Sequence, residues 1–372
     1  MKTTDATLGL LFTRGMSLVA WDRIGSLERE ILPYQELAKS FKQIYFFTYG
    51  GEADLKYVGI MPPNIKIIPK PFLIPSSLYV FLMPILRAKY FKKCDILKTN
   101  QMDGSWAGVI AKKLFGLKLV VRSGYEWLSF LKGNNAPGWK KAIARTIESL
   151  SYKNADEITI TSEEDKQFIK QTFKIFDDKI EIIRNYIDTE RFQPGDIREK
   201  IPNNIIYVGR LEKDKNLDLL LNALGGVDCK IALIGEGSQK ENLKSLAKDL
   251  KIKAEFLGKI AQSKLPKELQ QREIFILPSK SEGNPKALLE AMSCGLAVVG
   301  TDAKGIREVI RDDETGLLAQ PTPEGLREKI KALLENTELR ARLGSNAREQ
   351  IVSNQSLQAI VAKELKLYEE IL

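Results

Sequence analysis

Two carboxylates frame the segment SEGNPKALLEAMSCG, residues 281–295. Glu282 stands just before the turn Gly283-Asn284-Pro285, and Glu290 lies inside the apolar-striped helix that follows. Upstream, YVGRLEKDKN places Gly209 and Arg210 just past a strand end and Lys215 in the loop after it. Two cations at the carboxyl edge of a sheet suit a diphosphate, whose oxygens take charge-assisted hydrogen bonds. LIGEGS ends a second strand with Gly235 and Gly237, which let a flat ligand or a sugar approach the backbone; alone, such a pair occurs in many tight turns. LGK ends a third strand with Lys259. The helix opening at Pro285 adds N-terminal amides and a dipole that favour anions. Four successive strand ends thus offer one site cations, glycines, a helix N-terminus and two carboxylates.

The composition excludes other chemistries. There is no histidine, which removes His-based metal sites, Ser-His-Asp and Cys-His catalysis and the usual base near neutral pH. Cys94, Cys229 and Cys294 are scattered and odd in number, a poor fit to a disulfide framework or a zinc site. No DxD triplet provides a divalent-metal clamp, so neither a metal nor a cofactor is expected.

The elements that must position these residues read as βα units. In the first half, strands are predicted near TLGLLFT, QIYFFTY, IKIIP, DILKT, KLVVRS and EITITS, with helices including SLEREILPYQELAKSF, SWAGVIAKKLFG, GWKKAIARTIESLSYKNA and SEEDKQFIKQTF. The second half repeats the pattern from NNIIYVGR through GLLAQ. Short continuous apolar strands alternating with helices imply parallel sheets covered on both faces. The fold class is therefore α/β, with two doubly wound Rossmann-like domains. The boundaries are 1–190, 191–355 and a C-terminal helix over 356–372 that packs on the first domain. Residues 183–204, with Pro194, Gly195 and Pro202, form the linker between the halves. A length of 372 residues also favours two domains.

Charge is distributed unevenly. Residues 1–195 carry 29 Lys/Arg and 21 Asp/Glu, whereas residues 196–372 carry 28 and 27, so the excess lies in the first half. That half suits an anionic partner, or simply has a lysine-rich solvated surface. No aromatic-basic module supports nucleic acid as the partner. The apolar stretch 72–93, broken by Pro75 and Pro84, falls short of the roughly 20 residues that span a bilayer. With Arg87, Lys89, Lys92 and Lys93 at its end, it reads either as a buried helix with a solvated basic end or as a helix at an anionic membrane surface. The N-terminal MKTTDATLGLLFTRG lacks a signal-peptide pattern. The expected location is cytoplasmic, with a peripheral position at the inner face of the membrane.

VGRLEKDKN, LIGEGS, SEGNPKALLEAMSCGLAVVGTD, GIREVI and TGLL resemble the C-terminal domain of the group 1 (family 4) retaining glycosyltransferases of the GT-B fold. The resemblance is specific over most of residues 200–320 and weaker at RNYIDTERFQP and GSLERE. It implies two Rossmann-like domains facing each other across a cleft, the first binding acceptor and the second a nucleotide sugar. Glu282 and Glu290 match the family's E-x7-E motif. The resemblance assigns Glu290 to the nucleotide ribose hydroxyls and Glu282 to the donor sugar. Paired hydroxyl donors call for the acceptor-only carboxylate. It assigns Arg210 and Lys215 to the diphosphate, where leaving-group charge develops, with Gly209, Gly235, Gly237, Gly283, Asn284 and Lys259 on the donor side. Gly25, in RIGSLERE, matches the glycine loop that relatives close over the donor phosphate; a tight turn capped by Ser26 fits the same residues. TRGM, 13–16, could line the same cleft. Many relatives carry a histidine where this chain has LVVRSGYEW, so Arg122, Ser123 and Tyr125 are the acceptor-side candidates. Pro285 removes one amide that relatives offer to the sugar. The implied reaction is metal-independent transfer, with retention, from a UDP- or GDP-linked sugar to a hydroxyl acceptor, either a saccharide or a lipid-linked one, in cell-surface polysaccharide or lipid-linked oligosaccharide assembly. A nucleotide-sugar epimerase and a non-catalytic sugar-nucleotide-binding scaffold are the alternatives. A dehydrogenase is disfavoured because GEG lacks the GxGxxG spacing.

Overall fold

The computed structural model describes residues 2–71, 74–124, 128, 131, 136–196 and 201–372. The apolar runs of the first half form β1 (Thr7–Leu11), β2 (Gln43–Phe47), β3 (Ile65–Ile68), β4 (Ile96–Thr99), β5 (Lys118–Arg122), β6 (Glu157–Ile160) and β7 (Ile180–Ile182). Their order is β3-β2-β1-β4-β5-β6-β7, parallel throughout. The second half forms β8 (Asn204–Val208), β9 (Lys230–Ile234), β10 (Lys253–Gly258), β11 (Ile274–Leu277), β12 (Ala297–Thr301) and β13 (Leu317–Ala319). This sheet is also parallel, in the order β10-β9-β8-β11-β12-β13. Strands buried on both faces need no polar alternation, which is why Ile205, Ile206 and Tyr207 in β8, and all of β11, are enclosed. Strand order reverses between β1 and β4 and again between β8 and β11. Each reversal leaves a crevice at the carboxyl ends of the strands.

The chain divides into two compact units, residues 1–185 with 360–372, and residues 186–359. The last helix, Leu357–Ile371, begins in the second and from Ile360 onward belongs to the first. A buried ion pair holds it there. Lys98 Nζ on β4 lies 2.6 Å from Glu364 Oε1, with side chains only 4% and 9% exposed, and the Tyr368 hydroxyl donates to Glu364 Oε2 at 3.1 Å. Burial pushes the Lys98 ammonium below its ordinary pKa, while the Glu364 carboxylate pulls it back up.

Several elements escaped sequence reading, among them β7, the helices Leu18–Arg23, Pro323–Glu335 and Thr337–Gln355, and the 3-10 segment Gly51–Ile60. Ser26 precedes the helix Leu27–Leu37 but does not cap it with its side chain. Its hydroxyl turns back toward the Trp21 carbonyl, 3.4 Å away. The helix within the apolar stretch 72–93 has one buried side and one exposed side. In the helix Ser76–Leu86, Tyr79, Val80 and Met83 are buried while Leu78, Phe81, Ile85 and Leu86 are exposed. Residues 72 and 73 of that stretch lie outside the described residues. Among the described residues, no helix is long and apolar enough to cross a membrane.

Candidate active site

In the second unit, the carboxyl ends of β10, β9, β8 and β11 stand side by side, and backbone hydrogen bonds tie the loops beyond them. Gly235 N donates to the Gly258 carbonyl at 2.8 Å, Leu211 N to Glu236 at 3.0 Å and Lys280 N to Asp214 at 3.1 Å. Gly235 has φ +144°, and a Cβ there would sit 1.8 Å from the Gly209 carbonyl oxygen, so only glycine fits. Gly237 approaches the Leu211 backbone in the same way, and a Cβ at Gly209 would collide with the Tyr207 hydroxyl. Gly283, by contrast, has open space where its Cβ would be.

Across the β8–β11 reversal, Lys215 and Glu282 meet. Lys215 Nζ lies 2.8 Å from Glu282 Oε1, and the two side chains are 14% and 12% exposed. The Ser279 hydroxyl donates to the same oxygen at 2.6 Å. The Glu282 loop is closed by its amide, which donates to the Lys304 carbonyl at 2.9 Å. Gly305 makes that closure possible: a Cβ at this residue, with φ +75°, would fall 1.9 Å from the Glu282 carbonyl oxygen. Asp214 lies 3.7 Å from Lys215 and 3.2 Å from the exposed guanidinium of Arg210. Arg210, Asp214, Lys215 and Glu282 therefore form a chain of alternating charge along the sheet edge. Two cations held by carboxylates can exchange them for phosphate oxygens without being left bare. The Tyr207 hydroxyl donates to the Arg210 carbonyl at 2.9 Å. Burial, aided by the Glu282 and Asp214 carboxylates, pushes its pKa up and keeps it a neutral donor.

Glu290 lies on the helix Lys286–Ser293 and is 3% exposed. Leu288, Leu289, Ala291 and Met292 around it are core. Its Oε1 accepts from Gln262 Nε2 at 2.8 Å and has the Lys286 ammonium at 3.3 Å. A charged group is seldom enclosed unless partnered, and here the Gln262 amide comes from the loop after β10 and the Lys286 ammonium from one turn earlier on the same helix. Lys259 and Asn284 are exposed at the same edge. Sequence reading missed Ser279, Asp214, Gln262, Tyr207 and Gly305. Ser279 carried a local signal, a hydroxyl three residues before a carboxylate, whereas Gln262 and Gly305 had none.

In the first unit, a cavity of about 460 Å³ opens at the β1–β4 reversal, lined by Thr13, Trp21, Ser26, Arg29, Gln101 and Asp103 among others. Gly25, with φ +72°, makes the turn beside it. Arg122 at the end of β5 is occupied structurally: its guanidinium donates to the Asn100 carbonyl at 3.1 Å and to Asn185 Oδ1 at 2.7 Å. Ser123 is buried, and its amide donates to Thr159 at 2.9 Å. Tyr125 lies outside the described residues. Among the described residues, no cluster of three or more Cys, Asp or Glu side chains could hold a metal ion.

Two parallel doubly wound sheets, with charged and glycine-rich loops at their carboxyl edges, are the framework of the GT-B glycosyltransferases. Residues 34–191 match the model of glycosyltransferase family 4, and residues 188–350 match that of the group 1 glycosyl transferases. The chain is 32% identical over 271 residues to the N-acetylgalactosamine-N,N'-diacetylbacillosaminyl-diphospho-undecaprenol 4-alpha-N-acetylgalactosaminyltransferase of Campylobacter jejuni, covering 69% of this chain and 73% of that one. It is 26% identical to the UDP-Gal:alpha-D-GlcNAc-diphosphoundecaprenol alpha-1,3-galactosyltransferase of Escherichia coli, over 86% of each chain. Among solved structures, a glycosyltransferase from Rickettsia africae superposes with a TM-score of 0.75 at 20% identity, over 99% of this chain and 98% of that one. Anabaena HepE in complex with UDP gives a TM-score of 0.74 at 16% identity, over 98% of this chain and all of that one. The chain belongs to the group 1 (family 4) glycosyltransferases and is an enzyme that transfers sugars.

Proposed function

We propose that the chain transfers a sugar, with retention of configuration, from a nucleoside diphosphate sugar to a hydroxyl of a saccharide or lipid-linked acceptor. The pathway it serves is cell-surface polysaccharide or lipid-linked oligosaccharide assembly. The observation that carries this reading is the Arg210–Asp214–Lys215–Glu282 charge chain at the β8–β11 reversal. In the proposed complex the diphosphate takes Lys215 and Arg210 from their carboxylates, and the cations stabilise the departing nucleotide. Glu282, oriented by Ser279, then faces the sugar hydroxyls, and Glu290 accepts from the ribose. Retention proceeds at the front face, with a leaving phosphate oxygen taking the acceptor proton. A divalent ion has no assigned part in the scheme, because the two cations neutralise the leaving group. A lipid-linked acceptor is favoured by the Campylobacter and Escherichia relatives, whose names both specify diphospho-undecaprenol acceptors.

A thermal-shift screen against UDP, GDP and ADP, with Glu290→Ala in parallel, tests the donor site. Saturation at 100 times Kd adds about 2.7 kcal/mol of stability. The expected result is stabilisation by one nucleotide that the variant loses. Equal stabilisation of both proteins, or none by any nucleotide, removes Glu290 from the site.

A further inference from the structure

Three neighbouring helices cover one side of the seven-stranded sheet. Ser76–Leu86 and Gly138–Asn154 both pack against Ser105–Phe115, which lies on β1, β4 and β5. Each outer helix turns one stripe inward: Tyr79, Val80 and Met83 on the first, and Ala144, Glu148 and Ser151 on the last. The opposite stripes are apolar too. Leu78, Phe81 and Ile85, at i, i+3 and i+7, are exposed, Ile85 by 62%, and Trp139 and Ile143 are exposed one turn apart, Trp139 by 63%. Of the 14 large hydrophobic side chains exposed among the described residues, eight lie on these three helices. Scattered apolar exposure is ordinary, whereas concentration on one face marks a contact surface.

Charge decides the partner. The three helices carry six Lys/Arg and one Asp/Glu, and four more cations, Arg87, Lys89, Lys92 and Lys93, follow the end of the first helix. The single acid, Glu148, is buried and accepts from Leu128 N, and Lys112 is paired with Asp156. A second copy of this face would set like charge against like, and protein interfaces are poor in lysine. Nucleic-acid interfaces are polar where this face is apolar. Apolar stripes among lysines fit the headgroup boundary of an anionic bilayer, with the stripes in the acyl region and the ammonium groups on lipid phosphates. Trp139, with the Lys140 ammonium 5.4 Å from its ring centroid, has the amphipathic shape that settles at that depth.

We infer that this three-helix face docks on an anionic lipid bilayer. The inference rests on the proposed lipid-linked acceptor for its purpose, and it deepens that reading. Phe81 packs edge-on against Trp106 with ring centroids 5.7 Å apart. Trp106 opens the helix that Met102 and Asp103 lead into from the cavity of the first unit. The apolar face and the cavity are therefore neighbours within one unit.

Cosedimentation of the full chain with vesicles of phosphatidylcholine alone, or with about a third phosphatidylglycerol, tests the face. Binding is expected only to the anionic vesicles and weakens as salt is raised. Lys113→Glu/Lys140→Glu is expected to reduce partition about thirtyfold or more, and Phe81→Ser/Ile85→Ser about tenfold or more. Val352→Ser, at an exposed apolar position of the second unit, leaves partition unchanged. No binding to anionic vesicles, equal binding to neutral ones, or variants that partition like the parent overturn the inference. Turnover on a detergent-dispersed lipid-linked acceptor separates it from the functional reading. Turnover without vesicle binding overturns the face and leaves the acceptor reading standing. Vesicle binding without turnover on any lipid-linked acceptor removes the acceptor reading and leaves the face.

Discussion

Lys215→Met removes the ammonium 2.8 Å from Glu282 Oε1 and keeps most of the side-chain volume. Both groups are nearly enclosed, at 14% and 12% exposure, so solvent screens them little. At an effective dielectric of about 20, the bare attraction at that distance is about 6 kcal/mol. Most of it is returned as desolvation of the two ions. What remains is about 1.5–3 kcal/mol, typical of a hydrogen bond to a charged group. The variant keeps a Glu282 carboxylate bonded to Ser279 but without the lysine counter-charge, and stability should fall by about 3 kcal/mol. If the diphosphate takes Lys215 from Glu282, nucleotide affinity falls by the same bond, about ten- to hundredfold. Glu282→Gln acts in the opposite sense on nucleotide binding. It removes the carboxylate that competes for Lys215, so the nucleoside diphosphate should bind about three- to tenfold more tightly, while sugar transfer is lost. Calorimetric titration with the nucleotide that stabilises the parent protein measures both. Unchanged affinity in Lys215→Met, or equal weakening in the two variants, would refute the exchange of partners.

Ser279→Ala removes the 2.6 Å hydrogen bond to Glu282. It should cost about 1 kcal/mol of stability and lower turnover about tenfold with nucleotide affinity within about twofold, because the hydroxyl orients the carboxylate rather than the nucleotide. Equal turnover would remove Ser279 from the mechanism. Gly235→Ala places a Cβ 1.8 Å from the Gly209 carbonyl oxygen, where backbone must yield, and should destabilise by about 2–4 kcal/mol. Gly283→Ala, with open space at its Cβ, should stay within about 0.5 kcal/mol; urea midpoints of the two compare them directly. Lys98→Met strands the buried Glu364 and should cost about 3–5 kcal/mol, most of it restored by Glu364→Leu in the same chain. A double variant no more stable than Lys98→Met alone would show that the pair is not what sets the cost.

The strands were legible because each is a short, continuous apolar run closed by a turn, a pattern complete within a few residues. β7, only three residues with Glu181 at its centre, carries too little of it. In the helix Ser76–Leu86, hydropathy was legible but orientation was not, since an apolar residue reads the same whether it faces the sheet or the outside. Arg122 read as an acceptor-side candidate, and that its guanidinium donates to Asn100 and Asn185 is visible only once the loops beyond β4 and β7 are in place.

The amino-acid sequence by itself determined most of the strands, the helices with a clear apolar stripe, the parallel character of both sheets and the residue types offered at the strand ends. Those follow from local periodicity and from which residue types close each turn. Only the tertiary structure decided the partners. Lys215 and Glu282 are 67 residues apart, and Lys98 and Glu364 are 266 apart. Each pairing exists because sheet order sets β8 beside β11, or folds the last helix onto β4. Which strands become neighbours is settled by burying whole faces together, a global choice that no single stretch of sequence encodes.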